Sequence, residues 1–187
     1  PSVEGVPLAT RLHQEDFCQA AGLPSHGKYE MGEADNYVAS VNKTIERFSF
    51  DAIRDKTEFA RQTIFNYLVG NCDNHLKNYS LAYSTDWNSR SLAPAYDIVS
   101  TTVLGYSRLM GISIGDTRDI DQITHEDWGL FAHDLRMPKT IVLNLLEELR
   151  EQVPHALAQA AKKTPVESAQ NIAELIIRDM EPRLRRA

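Results

Sequence analysis

Cysteine is scarce in this chain: only Cys18 and Cys72 occur, far apart and without metal-ligand spacing. A disulfide framework is therefore not indicated, and a reducing cytoplasm is the expected setting. No apolar run approaches the roughly 18 residues that a membrane-spanning helix needs. Basic excess is missing too. With 20 Lys and Arg against 26 Asp and Glu, the formal net charge is -6, which argues against a sequence-independent grip on nucleic-acid phosphates. Any contact with nucleic acid is expected to run through a partner. The stretch Pro1 to Thr10 lacks the basic and apolar regions of a signal peptide. It also lacks an initiator Met, so the chain is expected to start inside a longer protein or at a trimmed boundary. Neither G-x-G-x-x-G nor G-x-x-x-x-G-K-[ST] occurs, and the pair Gly111 and Gly115 is followed by Asp116 instead of Lys. What remains is ordinary globular composition, 42% hydrophobic and 25% charged over 187 residues, enough for one domain with an apolar core.

Periodicity makes that domain mainly helical. Leu12 to Ala21 reads as a short helix stopped by Gly22 and Pro24, with loop through Glu30. Val38, Val41, Ile45 and Phe48 recur at helical spacing within Glu33 to Phe48. A longer helix is expected from Asp51 to Val69, with Phe59, Ile64, Phe65 and Leu68 as core anchors and Gly70-Asn71 as its stop. Tyr79 to Tyr83 and Arg90 to Ala93 read as a hairpin, and Leu109 to Ile114 as a further strand. Thr124-x-x-Asp127 signals a helix start before Trp128 to Leu135. Pro138 suits the first turn of a helix through Glu151, and Val166 to Arg183 reads as the last helix. Arg183, Arg185 and Arg186 form a basic tail suited to a helix C-terminus. No repeat or interdomain linker breaks the pattern.

The chemistry is concentrated in the polar run launched by the Asp51–Val69 helix: Gly70-Asn-Cys-Asp73-Asn-His75-Leu-Lys77-Asn78. Phosphoryl transfer needs a carboxylate to orient an attacking hydroxyl, an amide oxygen to hold Mg²⁺, and a second carboxylate from another segment. Asp73, Asn78 and Asp97 have the types and order for those tasks. The Asp-x4-Asn spacing alone is weak, since an Asp/Asn-rich turn capping a helix produces it as readily. His13, His26, His125, His133 and His155 show no mutual metal spacing and read as surface or capping residues. Trp128, Phe131 and Leu135 read as core.

The wider wording is more specific. Phe65-Asn-Tyr-Leu-Val-Gly-Asn-Cys-Asp-Asn-His-Leu-Lys-Asn-Tyr-Ser80, followed by Leu92-Ala-Pro-Ala-Tyr-Asp-Ile-Val-Ser100, resembles the HipA serine/threonine kinase family. Arg11-Leu-His-Gln-Glu-Asp-Phe-Cys-Gln-Ala20, Lys28-Tyr-Glu30 and Gly111-Ile-Ser-Ile-Gly-Asp116 resemble the same family, so the likeness runs from about Arg11 to Asp116. The resemblance implies a mainly α fold with a small β-hairpin, the C-terminal lobe of a protein-kinase-like architecture spanning residues 1–187. It implies Asp73 as catalytic base, Asn78 and Asp97 as Mg²⁺ ligands, and His75 and Lys77 beside the phosphates of ATP. It further implies a toxin of a toxin–antitoxin operon that phosphorylates a protein, an aminoacyl-tRNA synthetase in known members. A HipB-type DNA-binding antitoxin would restrain it.

Two departures from eukaryotic kinases are visible. Asn71 stands where His-Arg-Asp has its His, and Ile98-Val99 follows Asp97 where Asp-Phe-Gly continues; HipA-like proteins carry both changes. The family's phosphate loop, nucleotide lysine and adenine hinge all precede Pro1, so the expectation is half an active site with weak ATP affinity of its own. An aminoglycoside- or choline-type small-molecule kinase also fits Asp73, His75 and Asn78, but not Tyr96-Asp-Ile-Val-Ser100. A non-catalytic docking lobe for an antitoxin or target is the third reading.

Overall fold

Local rules of capping and apolar spacing account for most of the architecture. The computed structural model describes residues 11–30 and 36–185, with the backbone of residues 2–3 and 6–7. A minimal antiparallel pair, β1 (Ser2–Val3) and β2 (Val6–Pro7), comes first. Next is β3 (Gln14–Asp16), running directly into α1 (Phe17–Ala20). The expected helix from Leu12 is thereby corrected. Asp16 accepts a hydrogen bond from the Gln19 amide in a reciprocal capping box, which fixes the helix start after it. The residues before Asp16 pair instead with a strand more than sixty positions away.

Asn36 caps α2 (Tyr37–Phe48), whose Val38, Val41 and Ile45 are buried; the expected start at Glu33 lies outside the described residues. Asp51 caps α3 (Ala52–Val69), where Phe59, Ile64, Tyr67 and Leu68 have no solvent exposure. Each such side chain contributes about 1.5–3 kcal/mol of burial free energy. At Gly70 the chain turns left-handed (φ 75°), and a Cβ there would stand 2.1 Å from Thr102 Oγ1. Only glycine meets both demands.

Beyond the catalytic-loop candidate, β4 (Ser80–Tyr83) and β5 (Arg90–Leu92) form the expected hairpin, and β3 adds to its free edge in the order β3-β4-β5. The strand β6 (Leu109–Ile114) folds over Gly115 onto β7 (Thr117–Asp119), a partner the periodicity did not reveal. The helix α4 (His125–Asp134) starts at Thr124, which forms a capping box with Asp127. Trp128, Phe131 and Leu135 are core, as the spacing predicts.

The helix α5 (Lys139–Lys163) corrects a second expectation, because it does not stop near Glu151 but continues through Pro154. An internal proline costs a backbone hydrogen bond, yet Val142, Leu146 and Val153 hold α5 against the core and it packs on α3, α4 and α6. The last helix, α6 (Ala169–Arg185), begins after Val166.

Arg183 is not a surface tail residue. It is fully buried, and its Nη2 donates to the Leu68 carbonyl at 3.1 Å and to Asp179 at 2.6 Å. That satisfies one of the four carbonyls a helix leaves open at its end. Asp179 also accepts from Thr102 Oγ1 (2.7 Å) and from Arg108 (2.9 Å), and Arg108 pairs with Asp121. Arg186 lies outside the described residues. Burial would raise the Asp179 pKa, but hydrogen bonds from Arg183, Thr102 and Arg108 outweigh it, so the group sits below its ordinary 3.8. Asp121 is lowered as well, chiefly by Arg108. Carboxylates depressed in the folded state give stability that is complete above the unfolded value and is lost as pH falls through the folded one. Melting temperature should therefore decline as pH drops below about 4, and Asp179→Asn should flatten that decline. An acid limb unchanged in the variant would remove Asp179 from the account.

Candidate active site

The candidate loop is pinned at its start before any functional group is placed. Thr101 Oγ1 accepts from the Cys72 amide (2.9 Å) and donates to the Gly70 carbonyl (3.1 Å), while the Thr102 amide donates to the same carbonyl (3.1 Å). The Gly111 amide donates to the Cys72 carbonyl at 2.9 Å. A Cβ on Gly111 would stand 2.6 Å from the Asn74 carbonyl oxygen, so a bare backbone is what lets β6 press on the loop. Buried Glu30 ties the preceding segment to the same strand, accepting from the Ser113 amide at 2.6 Å and the Tyr37 amide at 3.0 Å.

On this frame Asp73 is exposed. Its Oδ1 accepts from the Tyr29 hydroxyl at 2.6 Å, and its backbone carbonyl accepts from Asn78 Nδ2 at 3.1 Å. The first bond leaves Oδ2 to meet another hydroxyl. The second commits the amino end of Asn78 and leaves its Oδ1 as an oxygen donor. The Asp73 hydrogen bond, then burial and the Asp73 charge, push the Tyr29 pKa up to about 12, so the phenol remains a donor at neutral pH.

Asp97 comes to the same loop from the other side of the hairpin. Asn71 Nδ2 reaches its carbonyl at 3.4 Å, and the neighbouring Tyr96 hydroxyl donates to the Lys77 carbonyl at 2.7 Å. The Asp97 side chain is exposed, and its backbone is left-handed (φ 56°). Aspartate tolerates that conformation better than most residues.

His75 is buried, and its Nδ1 makes no hydrogen bond to another described residue. Burial, then the Lys28 charge, lower its pKa against weaker pulls from Asp73 and Asp97, which keeps it neutral. Lys77 Nζ donates to Ser25 Oγ at 3.0 Å. The remaining histidines are peripheral: His13 stacks on Trp87, while His125 and His133 sit beside acidic side chains. Both cysteines are buried and free, and burial pushes the Cys72 thiol up to about 11.

The donor set suits a hard cation. Asn78 Oδ1 and the Asp97 carboxylate are the oxygen atoms that could serve as ligands, and Mg²⁺ typically takes only one or two of these from a protein, completing its shell with water and phosphate. Among the described residues no group of three or more His, Cys, Asp and Glu could hold a metal.

The profile of the HipA-like C-terminal domain matches residues 4–157. The chain belongs to that family. Among curated relatives, the Sinorhizobium fredii protein Y4mE, named as an inferred kinase, is 31% identical over 155 residues, covering 82% of this chain and 36% of that protein. The Shewanella oneidensis serine/threonine-protein kinase toxin HipA is 25% identical over 176 residues, covering 88% of this chain and 40% of its own. The chain thus spans well under half the length of these relatives. The S. oneidensis HipA structure, solved with HipB and operator DNA, superposes with a TM-score of 0.81 over 97% of this chain and 46% of that one, at 22% identity. The mainly α, HipA C-terminal fold follows from these matches. No described helix is long and apolar enough to cross a membrane.

Lys28 and Tyr29 are the site residues that sequence reasoning passed over. Lys28 Nζ lies 4.7 Å over the Tyr29 ring, and that ring meets His75 edge-on at 5.0 Å. The signal was available in the Lys-Tyr-Glu segment, but no spacing links residue 29 to residue 73.

Proposed function

We propose that residues 1–187 form the helical lobe of a HipA-type serine/threonine kinase, supplying the base and metal ligands for transfer from Mg-ATP to a protein hydroxyl. The observation that carries the reading is the meeting of two segments: the Asp73–Asn78 loop and the Tyr96-Asp97 turn, joined through Asn71 and Tyr96. Mg²⁺, when bound, neutralises phosphate charge and orients the transferable group. Asp73 accepts the proton of the acceptor hydroxyl through Oδ2 while Tyr29 holds Oδ1. The acceptor oxygen then bonds to the γ-phosphorus as the bond to ADP breaks. Asn78 and Asp97 hold the metal, with neutral His75 and Lys77 on the nucleotide side. The phosphate-gripping lobe is supplied by other residues of the longer protein, so this chain alone holds Mg-ATP weakly. The target belongs to the protein class that includes aminoacyl-tRNA synthetases, in the cytoplasm, and a HipB-type antitoxin is the restraining partner.

Labelled-phosphate transfer by the full-length protein tests this. Transfer should require Mg²⁺, stop with a chelator, and fall by at least about tenfold in Asp97→Asn, partly rescued by raised Mg²⁺. Transfer that ignores both chelator and Asp97 would remove the metal assignment. Small-molecule acceptors phosphorylated in place of protein would favour the aminoglycoside-type reading.

A further inference from the structure

Beside Asp73, and separate from the Asn78 and Asp97 side chains, lies a cleft of about 480 Å³ lined by Tyr29, Asp73, Tyr106, Leu109 and Arg118, among others. That volume falls within the roughly 300–1,000 Å³ of ligand sites. Its walls are of three kinds. Asp73 and Tyr29 form the reacting edge. Tyr106 and Leu109 are 68% and 52% exposed, a large apolar lip. Arg118 supplies the third element. Its Nε donates to the Met110 carbonyl at 2.9 Å, which anchors the guanidinium on β6. Among the described residues no carboxylate lies within ion-pairing distance of it. Arg108, ten positions earlier, shows the contrast, for two aspartates occupy it. An anchored guanidinium with both terminal nitrogens uncommitted is a ready partner for one anionic group.

We infer that this cleft seats the acceptor segment of the protein target, and that Arg118 selects a segment carrying an acidic side chain near its phosphorylated Ser or Thr. The inference rests on the kinase reading for the position of the hydroxyl, not for the existence of the anion site. A cleft of this volume is about 10 Å across, or about three residues of extended chain. The acidic residue therefore lies within three positions of the acceptor, and an apolar neighbour packs on Tyr106 and Leu109. The chain's overall charge of -6 opposes acidic partners in general, so an acid-tolerant cleft has to be made locally, by this arginine.

The test uses the full-length protein and fluorescent peptides, each with one Ser and with Asp or Asn at one of the three positions on either side. Fluorescence anisotropy should show the best Asp peptide binding about tenfold more tightly than its Asn twin, the scale of one charge-assisted contact. Arg118→Gln should bring the two peptides to parity, and Arg118→Lys, which keeps charge but loses the fork, should retain only part of the preference. Where the Gln variant melts early, the Lys variant carries the comparison. Equal binding of Asp and Asn peptides by the parent, or a preference that survives at Arg118→Gln, would overturn the inference. Phosphate transfer to the same peptides is scored separately. An Arg118-dependent binding preference without transfer counts against the kinase reading alone, and transfer without preference counts against the acidic-residue cleft alone.

Discussion

Asp73→Asn, placed in the full-length protein that supplies the other lobe, is expected to lower phosphoryl transfer by about 10²–10⁴-fold, the usual contribution of a general base. The change is nearly isosteric. Asn offers Tyr29 the same Oδ1 acceptor, and the Asp73 carbonyl that holds Asn78 is backbone. The residue is exposed, and the core anchors Ile64 and Leu68 lie behind it on α3, so the melting temperature should barely move. Nucleotide affinity should survive, because Asn78 and Asp97 are untouched. Single-turnover transfer beside a thermal melt separates the possibilities. Parent-rate transfer would show that Asp73 is not the base. A variant that unfolds would mean the Asp/Asn turn is chiefly a structural cap.

Arg183→Met is expected to cost about 3 kcal/mol of stability, the low end for breaking a buried ion pair. The side chain has no exposure, and its loss leaves the Leu68 carbonyl without its donor and Asp179 with only Thr102 and Arg108. Replacing both partners tells more than replacing one. Arg183→Met with Asp179→Leu should recover much of the loss, since a packed apolar pair avoids the desolvation of a buried charge. Urea unfolding reads all three proteins. A single-variant loss under about 1 kcal/mol would mean that water reaches the site and the arginine is not a structural brace.

The parts legible from sequence were those whose cause is local. Asp51, Thr124 and Gly70 act on residues within one helical turn, and each marks the boundary its chemistry implies. The heptad-like burial of Val38, Val41 and Ile45 follows from periodicity alone. The misreadings all involve partners distant in the chain. Gln14–Asp16 is helical by pattern until Ser80–Ala82 offers it a strand to pair with. The helix from Pro138 reads as ending near Glu151 until α3, α4 and α6 pack along α5 and it runs on past Pro154. Arg183 belongs to a basic tail until Leu68 and Asp179 enclose it. At the candidate site the wording of residues 65–80 and 92–100 picked out Asp73, Asn78 and Asp97, and the fold brings their segments together. Tyr29 and Arg118 escaped notice because a phenol and a guanidinium acquire their meaning only from what they face.

The Arg183 brace also has a timetable. The carbonyl it holds, on Leu68, lies 115 positions earlier in the chain. At about 5–20 residues per second of synthesis, the ribosome makes the carbonyl at the base of the loop roughly 6–23 s before the arginine that steadies it. During that interval Gly70 and Thr102 have no Asp179 beneath them, and the polypeptide already carries Asp73, Asn78 and Asp97 in unbraced form. A nascent chain thus carries the loop before the helix that braces its base, and the brace closes only after α6 has left the exit tunnel.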